Sequence, residues 1–219
     1  MSIKSQIENL NGKLPSTVKL VAVSKYKPAE AIMEAYGAGQ RAFGENRPQE
    51  LVAKAQVLPK DIEWHFIGHL QVNKIKMVLP YASLIHSVDS EKLLNAINNA
   101  AGAAGRIAEC LLEVHIASEE SKQGFLPEEV AGIISRRTEW PSVRFRGLMG
   151  MATFTDDKDL VRSEFRTLAN LFRSIPAFDG FDTLSMGMSE DWPIAVEEGT
   201  TIVRVGTAIF GKRNQATAE

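Results

Sequence analysis

A single (β/α)8 barrel of TIM type, preceded by an extra N-terminal helix, is the architecture this chain is expected to adopt. Apolar, valine-rich runs of strand length alternate with helix-period segments from end to end, as parallel strands joined by crossover helices require. Eight such runs are present, the number that closes a parallel barrel, and polar residues and glycines gather at their C-terminal ends, where barrels of this type carry their sites. A doubly wound open sheet competes, but no Gly-x-Gly-x-x-Gly follows the first strand, which weakens a dinucleotide-binding version.

In chain order, a helix is expected over about 2–12, then strands near 19–25, 41–46, 63–68, 83–88, 109–116, 144–151, 183–187 and 201–206. Helical patterns fall between them near 28–38, 48–57, 71–79, 90–104, 127–137, 157–174 and 191–198. Pro28 follows Lys27 at a helix start, where its missing N–H costs nothing. Gly39 and Gly199 stand where left-handed C-terminal caps belong. Asp89 or Ser90 can cap the helix that begins at Glu91. Leu160, Val161, Phe165, Leu168, Leu171 and Phe172 recur at helical spacing and mark a core stripe.

The 219 residues suit one domain, 1–219 with a core of about 15–211. With 44% hydrophobic and 24% charged residues and a formal net charge of -2, no broad basic field argues for nucleic acid or an anionic membrane. No apolar stretch reaches the roughly 18 residues of a membrane span, and residues 1–15 lack the apolar centre of a signal peptide. The single cysteine, Cys110, reads as a small hydrophobe in a strand, and a cytoplasmic location is expected.

Chemistry concentrates at strand ends. The run Leu20-Val21-Ala22-Val23-Ser24-Lys25 is apolar almost throughout and stops on an ammonium group. Alternation puts Val21, Val23 and Lys25 on one face. If the valines point into a barrel, Lys25 stands at its mouth, where an amine can condense with an aldehyde; a lysine snorkelling at a strand end is the plain alternative. Barrels often bind phosphate through the loops after strands seven and eight. Met186-Gly187-Met188-Ser189 and Gly206-Thr207 occupy those loops. Ser189 offers a hydroxyl and N–H groups at a helix start, Gly206 a close backbone approach, and Thr207 an N–H and a hydroxyl. Arg204 shares a face with Ile202 and Gly206. A buried guanidinium needs an acceptor: either a carboxylate such as Glu45 or Asp182, or the ring nitrogen of a bound heterocycle. The four histidines do not stand at metal-ligand spacing with cysteines or carboxylates, so no metal is expected. His86 and His115 read as structural. Lys122, in the loop after strand five, is either a solvated lysine or a second aldehyde-binding amine.

An aldehyde-capturing lysine, a phosphate cradle and a buried arginine together describe pyridoxal 5′-phosphate. The segments VAVSK (21–25), FGENRPQE (43–50), WHFIGHLQVNK (64–74), IHSVD (85–89), ESKQGF (120–125), GLMGMAT (147–153), LSMGMSEDW (184–192) and VRVGTAIFG (203–211) resemble the pyridoxal phosphate homeostasis protein family, single-domain relatives of the alanine racemase N-terminal barrel. The likeness covers about residues 5–213. It implies that Lys25 is the Schiff-base lysine and that Ser189, Gly206 and Thr207 hold the phosphate, with Ser185, Met186 and Gly187 close by. It further implies that Arg204 faces the pyridine nitrogen, that Asn46 and His65 lie near the cofactor, and that Met188 and Ser87 line its pocket.

A permanently charged arginine at the ring nitrogen opposes its protonation and makes the ring a weaker electron sink. A racemase needs two positioned acid/base groups, and the alanine racemase family takes one from a second domain and a partner subunit; this chain ends at Glu219. The expectation is therefore a monomeric cofactor carrier in vitamin B6 homeostasis rather than a catalyst. It would keep the free aldehyde low and hand it on in transient contact with apo-enzymes that depend on this cofactor. A slow amino-acid racemase is the alternative, and a Schiff-base aldolase acting on a sugar phosphate a third reading.

Overall fold

The structure is a computed structural model and describes residues 2–119 and 123–211. Eight parallel strands close into a barrel in sequence order. They are β1 (Lys19–Val23), β2 (Ala42–Glu45), β3 (Glu63–Phe66), β4 (Ala82–Val88), β5 (Ala108–Val114), β6 (Val143–Gly150), β7 (Thr183–Ser185) and β8 (Ile202–Val205). Closure is made by β1 on β8, with Val21 opposite Arg204. The period of two sorts the strands into two faces, with register shifts in β4 and β6. Val21, Ala42, Leu84, Leu111, Met149 and Ile202 form a separate inner cluster. The alternate residues, such as Ala22, Phe43, Phe66, Leu112, Leu148 and Val203, join the larger core beneath the helices.

The helices are α1 (Ile3–Lys13), α2 (Ala29–Gly37), α3 (Pro48–Val57), α4 (Ile75–Val78), α5 (Glu91–Ala103), α6 (Pro127–Ser135), α7 (Lys158–Ser174), α8 (Trp192–Glu197) and α9 (Thr207–Phe210). The helix expected over 71–79 divides into a 3-10 turn, Val72–Lys74, and the short α4. α9 was not foreseen, because its four residues follow Gly206 too closely to show a period. α7 is built as its pattern demands. Asp157 accepts from the N–H groups of Asp159 and Leu160, and Val161, Phe165, Leu168 and Ala169 are buried at helical spacing. Burying Phe165 alone contributes about 1.5–3 kcal/mol. Its neighbour Glu164 accepts from the Thr153 N–H (2.7 Å) and the Ser118 N–H (3.2 Å), tying together the loops after β5 and β6.

Gly147 in β6 has φ +151, and a Cβ there would lie 1.7 Å from the Thr183 carbonyl oxygen, so only glycine permits β6 to approach β7. Cys110 is wholly buried, and burial pushes its thiol well above the usual range, which leaves it inert. Among the described residues no helix is long and apolar enough to cross a membrane.

Candidate functional site

β1 ends at Val23, earlier than the expected 25, because Tyr26 takes a left-handed backbone (φ 62) and turns the chain. Lys25 thus sits in the turn at the C-terminal rim, exposed, and its ammonium makes no hydrogen bond or ion pair with a described residue. Its backbone is gripped on both sides. Lys54 Nζ in α3 donates to the Ser24 carbonyl (2.9 Å), and Glu50 Oε2 accepts from the Tyr26 N–H (2.8 Å). Lys54 also pairs with Glu50 (3.0 Å) and with the buried Glu45 (2.7 Å), which accepts from the Ser24 hydroxyl (2.5 Å). The Arg47 guanidinium lies over the Tyr26 ring, 4.6 Å from its centroid. Such a brace holds the left-handed Tyr26 in place beside Lys25.

Arg204, on the adjoining β8, is buried at 4% exposure and points inward. Nη1 donates to Ser185 Oγ (2.5 Å) and Nη2 to the Gly150 carbonyl (3.2 Å), while no described residue accepts from Nε. Burial lowers its pKa to about 10, so the guanidinium stays charged at neutral pH. Neither Glu45 nor Asp182, the carboxylates open to it by sequence, pairs with Arg204. Glu45 is held by Ser24 and Lys54, and Asp182 by Arg146 at the N-terminal end of the barrel (3.0 Å).

The acidic group that acts most strongly on the Arg204 charge is Glu113 in β5, a residue outside the expected site. It lies on the inner face with Leu111 and is 6% exposed. Burial and then the charge of Asp89 push its pKa up to about 7, against the pull of Arg204. Its signal was legible as a carboxylate inside the apolar run Cys110-Leu111-Leu112-Glu113-Val114, since a buried acid of this kind marks functional sites.

The loops after β7 and β8 meet as expected, with the Gly206 N–H donating to Ser189 Oγ (3.3 Å) and Thr207 opening α9. Gly187 has φ +93 and its carbonyl accepts from the Arg204 N–H (2.9 Å), so the β7 loop folds over β8. Asn46, just past β2, keeps a buried Oδ1 with no partner among the described residues. Lys25, Asn46, Ser189, Arg204, Gly206 and Thr207 therefore share one end of the barrel, as does the half-exposed Met188.

Three expected neighbours have other partners for their side chains. The Met186 side chain alternates with Ser185 and lies wholly buried in the core under the helices. The buried Ser87 hydroxyl donates to the Gly68 carbonyl (2.5 Å), in the loop after β3 that packs on Asn46. His65 borders a polar cavity of about 330 Å³ at the N-terminal end, beside Lys19 and Glu63. His86, read as merely structural, connects His65 (2.8 Å) to Ser185 (3.0 Å). His69 rests on Asp89 (3.1 Å). Lys122 lies outside the described residues.

A parallel barrel with an exposed, braced lysine after its first strand and a buried arginine in its last defines a protein of the alanine racemase N-terminal class, and the family model described as "Alanine racemase, N-terminal domain" matches residues 1–214. Within that class the chain belongs to the pyridoxal phosphate homeostasis protein family. It is 42% identical over 221 residues to the pyridoxal phosphate homeostasis protein of Vibrio alginolyticus, covering 97% of this chain and 95% of the relative. It is 41% identical to that of Mus musculus, covering 90% and 77%. The solved structure of PipY from Synechococcus elongatus with PLP bound superposes with a TM-score of 0.85 at 38% identity, over 96% of this chain and 100% of that one. Alanine racemase from E. faecalis (TM-score 0.72, 14% identity, 98% of this chain and 59% of that one) shares the fold.

Proposed function

We propose that this chain binds pyridoxal 5′-phosphate as a Schiff base on Lys25 and serves as a carrier in vitamin B6 homeostasis, releasing the cofactor to apo-enzymes. The observation that carries the reading is an accessible amine, braced by α3 on both flanking peptides, on the strand adjoining the one that bears Arg204. The rim fits the group: among the described residues Asn46 Oδ1 and Arg204 Nε have no partner, and the Ser189–Gly206 junction brings a hydroxyl and a backbone N–H together. When bound, pyridoxal phosphate supplies an electrophilic aldehyde and an electron-accepting ring. Ser189, Gly206 and Thr207 would hold its phosphate through hydroxyl and N–H donors. Arg204 would face the ring nitrogen, and its fixed charge keeps that nitrogen unprotonated, which weakens the ring as an electron sink. Lys25 being open to solvent suits exchange of the aldehyde with other amines.

One observation favours the alternative of a slow racemase. Glu113, with a pKa of about 7, is a buried acid on the inner face near Arg204, and a second acid/base group is what racemisation needs. Racemisation of a panel of amino acids that vanishes in Lys25→Ala would establish catalysis.

The carrier reading is tested by loading the protein with pyridoxal phosphate, reducing with borohydride and mapping the adduct by mass spectrometry. A single adduct on Lys25 is expected, lost in Lys25→Ala while the folded spectrum persists. An adduct mainly on another lysine would sink the assignment. Transfer to a cofactor-free transaminase, read as recovered activity, tests delivery.

A further inference from the structure

A string of polar groups runs through the barrel interior beneath the rim. Arg204 Nη1 donates to Ser185 Oγ (2.5 Å), Ser185 Oγ lies 3.0 Å from His86 Nδ1, and His86 Nε2 lies 2.8 Å from His65 Nδ1. At the N-terminal end of the barrel Glu63, two residues before His65 on β3, pairs with Lys19. The four groups from Arg204 to His65 are buried, at 4% exposure or less, so bulk water does not complete their hydrogen bonds.

The Arg204 end fixes the direction of every bond, because a guanidinium only donates. Ser185 Oγ receives from Arg204, and His86 Nδ1 is its one other partner among the described residues. The hydroxyl therefore donates to Nδ1. His86 then carries its proton on Nε2 and donates to His65 Nδ1, which leaves the proton of a neutral His65 on Nε2. Three hydrogen bonds use three protons, one each from Arg204, Ser185 and His86. Burial pushes both imidazoles below their usual range, and for His86 the neighbouring His65 and Arg204 add to it, so both rings are neutral. A proton added to either accepting Nδ1 would set two donors against each other and break the string.

We propose that His86 is a positioning residue for Arg204, holding Ser185 and through it the guanidinium in one orientation, with His65 as the buried end of the string. Its bearing on the cofactor rests on the function proposed above; the ring tautomers do not.

Nitrogen-15 NMR of the imidazoles in cofactor-free protein at pH 7 is expected to show His65 and His86 both neutral and protonated on Nε2. A His86 protonated on Nδ1, or on both nitrogens, overturns the assignment. The variants H86Q and H86L then separate positioning from packing, because glutamine supplies an acceptor and a donor and leucine supplies neither. H86L is expected to weaken pyridoxal phosphate binding by ~10-fold, the worth of one lost hydrogen bond, and to move the absorption maximum of the bound cofactor. H86Q is expected to stay within ~3-fold of the parent on the same scale. Equal effects of the two substitutions would show that the ring only fills space. Should H86L fail to fold, Ser185→Ala severs the same string and is expected to reproduce the spectral shift; an unchanged spectrum overturns the proposal. A parent protein that binds no cofactor yet shows both Nε2 tautomers would count against the carrier function alone, with the string supported.

Discussion

Glu113 shows how one residue's surroundings set its chemistry. Its carboxyl lies inside the barrel near Asp89, and burial raises its pKa from an ordinary 4.5 to about 7. The folded chain thus keeps this proton to higher pH than the unfolded chain. Stability contributed by the neutral acid is full below about 4.5 and declines as pH rises toward 7. Glu113→Gln, which stays neutral, should match the parent at pH 4 and exceed it at pH 8 by ~2–3 kcal/mol, measured by urea denaturation at both pH values. Equal stability differences at the two would mean that the carboxyl is not desolvated. The residue scale also explains why the Met186 side chain turns into the outer core: it alternates with the inward Ser185, and regular strand residues in succession face opposite sides. Ser87 follows no such rule, because the register shifts between Ile85 and Val88.

At the scale of elements, α3 does more than cover β2. Its first turn supplies Glu50 and its last Lys54, one helical turn apart, and these reach the peptides on either side of Lys25. Lys54→Met removes the partner of Glu45, leaving a buried carboxylate unpaired, and should cost ~3–5 kcal/mol. The double variant Glu45→Gln/Lys54→Met should recover part of that loss, because the stranded charge is gone. Both should slow borohydride-trapped adduct formation at Lys25, since the brace on Tyr26 is weakened. Undiminished trapping in a stable double variant would reduce the brace to a packing feature.

For the whole molecule, the decisive event is barrel closure. Lys25 and Arg204 are remote in sequence, yet the pairing of β1 with β8 puts their strands side by side. A ligand bound to both ends of the chain stabilises the closed state by mass action. At a hundredfold excess over its dissociation constant, pyridoxal phosphate should add ~2.7 kcal/mol and raise Tm by ~5–10 °C. Lys25→Ala should keep only a small part of that shift. A full shift in the variant would place the binding energy elsewhere.

The order and direction of the strands, and the inward face of Val21, Ile202 and Arg204, were legible because side-chain alternation is a local property of the backbone. The rim position of the lysine, of the loops after β7 and β8 and of the arginine was legible in a similar way, from polar and glycine residues ending apolar runs. What the sequence left open was height along the barrel axis and the identity of neighbours across it. His65 is inward as its alternation implies, but it faces the N-terminal cavity, and Arg204 finds Ser185 rather than Glu45 or Asp182. Those outcomes depend on the stagger between strands, which only closure fixes. One chain of residues can state which way each side chain points; the register between distant strands decides what it meets there.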